Sequence, residues 1–288
     1  MNESNINKTL LHTMQPLDLF SERAGDYVKY RPSYPSNAIT TIIKGLGETS
    51  QLVAADIGAG TGIASHLLAD QGVRVIAIEP NTSMREATVP HPLIEFREAG
   101  AECTNLPDES VNLVTCFQAF HWFNPESALL EFHRILKPSG RLALIWNEWG
   151  ANDKFLAEFR DIINKAIGSD RPKEKQRDAF KPLVYSSNFA HIGRYTFIHT
   201  QKLDLSGVIG YALSKSFAPR SGSAHKELVQ NLQNLHARWA DENGIVLLTF
   251  RTTVYLAKPQ SHHRSKFLLP LKSKLLLKWW RLNDIFKK

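Results

Sequence analysis

The chain has 288 residues, enough to bury a full core, and its 43% hydrophobic and 22% charged content excludes collagen-like, low-complexity and wholly disordered classes. Two cysteines, Cys103 and Cys116, are too few for a disulfide framework and point to a reducing cytoplasm. The formal charge of +7 lies entirely in residues 261–288, which hold eight basic side chains and one acid, Asp284; the remaining residues balance.

Residues 1–19 are read as a flexible N-terminus without the basic start and apolar stretch of a signal peptide. No apolar run reaches the ~20 residues that a membrane span needs. Residues 36–47 predict a helix ending near Gly45 and Gly47. A regular alternation follows: strand Leu52–Asp56, helix Ile63–Ala69, strand Val73–Ile78, a capped helix start at Asn81–Glu86 and strand Leu93–Arg97. It continues with strand Val111–Phe117, helix Pro125–Leu136 stopped by Lys137-Pro138-Ser139-Gly140, and strand Arg141–Trp146. Strands alternating with helices of this length predict an α/β fold, a doubly wound and mostly parallel sheet. Residues 151–192 lose the rhythm and read as mostly helical; Tyr195–Leu203 is a strand, 222–241 a long helix, and Ile245–Leu256 the final strand.

Gly58, Gly60 and Gly62 fall between the first strand and its helix, where glycine permits positive φ and lets a ligand approach the backbone. Glu79 lies 23 residues after Asp56, at the tip of the second strand, where a carboxylate can accept both hydroxyls of a ribose. These features imply an adenosine-containing ligand. The glycines run G-x-G-x-G, and Ile63 stands where the dinucleotide fingerprint has its third glycine. Asp56 before the turn suits an ammonium better than a pyrophosphate. Both departures favour S-adenosylmethionine over a nicotinamide dinucleotide.

The sequence also resembles the class I S-adenosylmethionine-dependent methyltransferase superfamily, in its type 11 group of ubiquinone/menaquinone-biosynthesis and trans-aconitate methyltransferase-like proteins. Asp56–Gly62, Glu79-Pro80, Ala101-Glu102 with Leu106-Pro107, Gln118–Phe123 and Leu136–Arg141 carry the resemblance. Tyr30–Pro35, Ser214–Pro219 and Arg251-Thr252 extend it to residues 20–258. It implies a Rossmann-like sheet of seven strands with an antiparallel last strand. It implies a methyltransferase domain at 20–258, with a cofactor-binding core at 36–148 and a substrate-side helical insertion at 151–241. It further implies Gly58, Ala59, Gly60 and Gly62 under the methionine moiety, Glu79 and Pro80 at the ribose, Ala101 and Glu102 at the adenine, and Gln118 beside the sulfonium. Asn112 departs from the group, which usually has aspartate there; a local turn is the expected consequence.

His121, just past the fourth strand, is a candidate general base, or else an imidazole packed beside Trp122 and Phe123. Tyr27 and Arg31 are candidates for the cofactor site, where a guanidinium can pair with a carboxylate of cofactor or substrate; the alternative is a packed aromatic and a surface cation. Cys116 reads as a packing residue. His262-His263 lacks the spacing and companion ligands of a zinc site, so no metal is expected.

Within 259–288, Leu268, Leu271, Leu275, Trp279, Leu282 and Phe286 form one helical stripe, with Lys274, Lys278 and Arg281 on another face. This basic amphipathic tail suits an anionic membrane surface, placing the protein in the cytoplasm and peripherally at a membrane. Docking on the catalytic domain or a second subunit competes with that reading; the tail offers no recognised nucleic-acid motif. The expected activity is in-line methyl transfer to a small-molecule acceptor. A non-catalytic adenosine-ligand binder and a nicotinamide-dependent oxidoreductase are the alternatives.

Overall fold

The computed structural model describes residues 30–150, 153–168, 178–215 and 218–260. The candidate Tyr27, the N-terminal segment 1–19 and the amphipathic stripe of the tail lie outside the described residues.

Seven strands form one sheet in the order β3-β2-β1-β4-β5-β7-β6. They are β1 (Val53–Ile57), β2 (Arg74–Ile78), β3 (Ile94–Arg97), β4 (Val111–Phe117), β5 (Leu136–Trp149), β6 (Phe189–Leu203) and β7 (Val246–Pro259). β1 through β5 pair in parallel, and β7 runs antiparallel to both β5 and β6. The helices are α1 (Ser36–Ile43), α2 (Ile63–Ala69), α3 (Thr82–Glu86), α4 (Pro125–Ile135), α5 (Lys154–Ile167), α6 (Lys181–Tyr185), α7 (Leu205–Leu213) and α8 (Gly222–Trp239).

The sheet is buried on both faces, which is why its central strands are apolar runs and not alternating ones. In β5, Leu142, Leu144 and Trp146 join the core under α4 and α6. Ala143 and Ile145 point the other way, into the core under α1 and α2. Helix starts follow local chemistry: Asn81, Asn124 and Asp153 accept hydrogen bonds from Met84 N, Ser127 N and Leu156 N, so the first turns of α3, α4 and α5 are capped. Asn112 Oδ1 accepts from Val53 N at 3.1 Å, fastening the start of β1 from the neighbouring strand; the bond spans 59 residues and is not confined to a local turn.

The segment 151–241 is not one block. It supplies β6 to the sheet edge, and α5, α7 and α8 to a third core that includes Phe155, Phe159, Tyr211, Leu232 and Phe250. Among the described residues no helix is long and apolar enough to cross a membrane.

Candidate functional site

Gly58–Gly62, Glu79 with Pro80, and Gln118 follow the carboxyl ends of β1, β2 and β4, the edge where open α/β sheets bind ligands, while Ala101 and Glu102 follow β3. The loop after β1 has positive φ at Gly58 (+69°), Gly60 (+59°) and Gly62 (+84°). Gly58 N and Ala59 N both donate to Ile78 O, at 2.8 and 3.1 Å, so the loop is fastened to the end of β2. A Cβ at Gly58 would stand 2.6 Å from Ala119 Cβ and 3.0 Å from the Phe123 ring.

Glu79 is 8% exposed. Its Oε2 accepts from Gly60 N at 2.8 Å and its Oε1 from Asn81 N at 2.9 Å. Two backbone amides fix the carboxylate, and two of its roughly four lone-pair directions stay available. Burial raises its pKa against the amides of Asn81 and Gly60 and the charge of Arg85, all of which lower it. Arg85 donates to Glu79 O at 2.7 Å, and Pro80 is exposed beside it. Ala101 is buried in the core that holds Ile78, and Glu102 Oε1 accepts from Asn124 N at 2.8 Å.

Asp56 lies beneath the loop. Its oxygens accept from Ser65 Oγ at 2.7 Å and Thr115 Oγ1 at 2.8 Å, and it is 1% exposed. Burial pushes its pKa up to about 6 in spite of those two hydrogen bonds. The native chain therefore holds this proton more tightly than the unfolded chain, whose ordinary value is 3.8. The group's contribution to stability falls as pH rises through that window and stays low above it. Asp56→Asn is expected to gain stability relative to the parent as pH rises from about 4 to 7, by up to about 3 kcal/mol. Urea unfolding at both ends of that range measures it; a pH-independent difference contradicts it.

Gln118 follows β4 with φ +54°, a conformation uncommon outside glycine. Its Nε2 donates to Asn147 O at 2.8 Å, while its buried Oε1 has no hydrogen-bond partner among the described residues. Thr61 Oγ1 is in the same condition. Arg31, Tyr34, Gly58, Ala59, Gln118 and Asn147 line the cleft above this edge. Arg31 Nη2 donates to Ser214 O at 2.8 Å, at the end of α7. Sequence reasoning missed Asn147, which binds three elements together. Its Nδ2 donates to Ser33 O at 3.0 Å, its Oδ1 accepts from Thr252 Oγ1 at 2.6 Å, and its carbonyl takes Gln118. An asparagine at the carboxyl end of an apolar strand was the available signal.

His121 sits in the single turn Phe120–Trp122 after β4. Trp146 Nε1 donates to its Nδ1 at 3.3 Å, which puts the ring proton on Nε2. Burial, aided by the charge of Arg31, lowers its pKa to about 3, so the ring is neutral at physiological pH. Cys116 is buried, and burial with the charge of Asp56 pushes its thiol well up, as befits a packing residue. Among the described residues no group of three His, Cys, Asp or Glu could hold a metal ion.

Comparison with known proteins identifies the family and the fold. Residues 55–144 match a family described as a methyltransferase domain. An uncharacterized methyltransferase of Schizosaccharomyces pombe is 39% identical over 224 residues, covering 76% of this chain and 84% of that protein. An uncharacterized methyltransferase of Mycobacterium bovis is 29% identical over 235 residues, covering 79% and 90%. The solved structure of a candidate type II methyltransferase from Anaeromyxobacter dehalogenans shares the fold, with TM-score 0.63 and 22% identity over 80% of this chain and all of that one.

Proposed function

The chain belongs to the class I S-adenosylmethionine-dependent methyltransferases, in the type 11 group, and from that premise we propose that the Gly58–Gly62 cleft is where donor and a small-molecule acceptor meet. Membership sets aside the nicotinamide-dependent and non-catalytic alternatives. The observation that carries the proposal is the Glu79 carboxylate, fixed by Gly60 N and Asn81 N with lone pairs to spare for a ribose diol. The remaining residues fit the cofactor. Gln118 Oε1 and Thr61 Oγ1 are buried polar atoms without a hydrogen-bond partner among the described residues, and Gly58 and Ala59 line the cleft.

When bound, S-adenosylmethionine supplies a methyl group already activated by the sulfonium. The protein's part is to align and to exclude water. On this reading Gly58, Ala59, Gly60 and Gly62 cradle the methionine moiety, and Glu79, with Pro80, holds the ribose. Ala101 and Glu102 border the adenine, and Gln118, oriented by Asn147, marks the reacting end. Asp56 supports the loop from below through Ser65 and Thr115. The methyltransferase domain is 20–258, and the third core around α5, α7 and α8 walls the acceptor side. Calorimetric titration with S-adenosylmethionine and with NAD tests the donor assignment: the first is expected to bind stoichiometrically and the second not at all.

With Nδ1 accepting from Trp146, we read His121 as a hydrogen-bond donor in place of a general base. His121→Gln is expected to lower kcat by less than about tenfold, short of the 100-fold or more typical of a general base. The parent's kcat/KM is expected to show no limb near pH 6.5. A limb there that disappears in the variant would restore the base.

For residues 261–288 the proposal rests on the sequence alone: a cytoplasmic protein touching an anionic bilayer through the Leu268–Phe286 stripe. Sedimentation with phosphatidylserine vesicles is expected to carry down the full chain and spare a chain ending at residue 260. Equal partitioning contradicts it.

A further inference from the structure

Residues 31–35 form no helix or strand, and Arg31, Pro32 and Tyr34 among them line the cleft together with Gly58, Ala59 and Gln118. The ends of this strap are held by packing. The Tyr30 ring fills the space that a Cβ at Gly210 would occupy, and Tyr34 packs edge-on against Phe117, with 4.6 Å between ring centroids. Between those ends the strap is tied down by hydrogen bonds. Arg31 Nη2 donates to Ser214 O at 2.8 Å, and Ser33 O accepts from Asn147 Nδ2 at 3.0 Å.

An asparagine amide can face either way, and here its direction is set from behind. Asn147 and Thr252 are register partners across β5 and β7, and Thr252 Oγ1 donates to Asn147 Oδ1 at 2.6 Å. Nδ2 is thereby left for Ser33 O; the reversed amide would set two carbonyl oxygens against each other. Having given its proton to Asn147, the Thr252 hydroxyl can only accept from His199 Nδ1, 3.3 Å away on β6. Burial lowers the pKa of His199, against a hydrogen bond with the Ser33 backbone that raises it, so the ring is neutral at physiological pH. His199, Thr252, Asn147 and Ser33 thus form an uncharged chain in which every donor points toward the strap. Thr252 is fully buried, on the strand face that carries Phe250 and Val254, where a hydroxyl is costly unless it is bonded.

We propose that Asn147 is a positioning residue for donor binding: its side-chain amide, aimed by Thr252, latches residues 31–35 into the wall of the cleft. This rests on the assignment of the cleft as the donor site. The latch acts on the strap alone. Gln118 hangs on the Asn147 carbonyl, so a side-chain substitution at 147 leaves it in place. A strap released at Ser33 carries the lining groups of its neighbours Pro32 and Tyr34 away from the donor, and affinity falls with the fold intact.

Asn147→Asp tests the latch. The variant keeps the size of the side chain and the bond from Thr252, but its carboxylate sets an acceptor against Ser33 O. Protonation puts an O–H donor back in the same place, and burial makes that protonation easier than in water. Calorimetry with S-adenosylhomocysteine is run on the full chain, parent and variant side by side, from about pH 8 to about pH 5. At the upper end the variant is expected to bind about tenfold or more weakly than the parent, and at the lower end the gap is expected to close to about threefold or less. Asp56, Glu79, His121, His199 and the charge of Arg31 are common to both chains, as is the Glu148–Arg251 pair on the opposite strand face, so their titration cancels in the ratio. A gap that is constant with pH, or absent at the upper end, overturns the latch. A parent that fails to bind overturns the cleft assignment, and the latch with it. Thr252→Val and Thr252→Ser give a second reading. Valine fills the site but removes the hydroxyl that aims the amide; serine keeps the hydroxyl and leaves a cavity. The serine variant is therefore expected to melt lower and yet bind more tightly than the valine variant. Affinities that follow the melting temperatures, or that are equal, contradict the proposal.

Discussion

Glu79→Ala is expected to weaken S-adenosylmethionine binding by about 100- to 10,000-fold, because two hydrogen bonds to a charged acceptor, each about 1.5–3 kcal/mol, are lost from a buried position. The chain should still fold. Removing the carboxylate leaves Gly60 N and Asn81 N without their partner, a cost partly offset by relief of a carboxylate whose ionised form burial disfavours. Glu79→Gln separates the two roles. Its amide oxygen can accept from one backbone N–H, but its NH2 faces the other donor, so it too should bind weakly while melting near the parent. Calorimetry for affinity and thermal unfolding for stability read the two effects independently. A folded Glu79→Ala protein whose affinity stays within about threefold of the parent, under about 0.7 kcal/mol, would remove Glu79 from the site.

Gly58→Ala is the second large effect. The backbone there is left-handed, at φ +69°, which alone costs an alanine about 1–2 kcal/mol. The new Cβ would also stand 2.6 Å from Ala119 Cβ, a short side chain next to Gln118 with no flexible end to swing aside. The loop must shift as a unit, pulling Gly58 N and Ala59 N from Ile78 O. Both donor binding and turnover should fall by about 100-fold or more, the size of effect that misplacement of about 1 Å produces. Gly45→Ala is the control. Its φ is +79°, yet nothing lies within 4 Å of the added Cβ, so it bears the backbone cost and leaves binding intact. Equal binding losses in the two variants would show that the Gly58 contact is irrelevant.

Much of the fold was legible because the signals were local. β4 at Val111–Phe117 and α2 at Ile63–Ala69 occupy the residues their patterns indicated, and Glu79 stands at the strand tip its distance from Asp56 implied. Three departures have physical reasons. Pro138 and Gly140 read as a stop, yet β5 starts at Leu136, since the register shift between Val111 and Leu113 carries the pairing past them. β6 starts at Phe189 and not Tyr195, because His191, at φ +52°, lies in an irregularity between Ala190 and Gly193 that breaks the alternation. α7 at Leu205–Leu213 carries two glycines in an almost wholly apolar segment, which hides its period; the Asp204 cap on Gly207 N was the available clue.

The candidate site was legible as a set of residues and not as a set of bonds. Asp56 before a glycine turn suggested attraction for an ammonium, whereas the structure engages both of its oxygens with Ser65 and Thr115, the latter 59 residues away. The Trp146 donor that fixes the His121 tautomer, and the Asn147 junction behind Gln118, likewise join distant positions. Adjacent strands bring them together, and a periodicity cannot report such pairs.

The most direct test is a crystal structure of the chain with S-adenosylhomocysteine. One molecule is expected along the carboxyl ends of β1, β2 and β4, its ribose hydroxyls on Glu79 and its amino-acid end over Gly58–Gly62. Density for the ligand anywhere else, or a Glu79 carboxylate making no contact with it, would contradict the account.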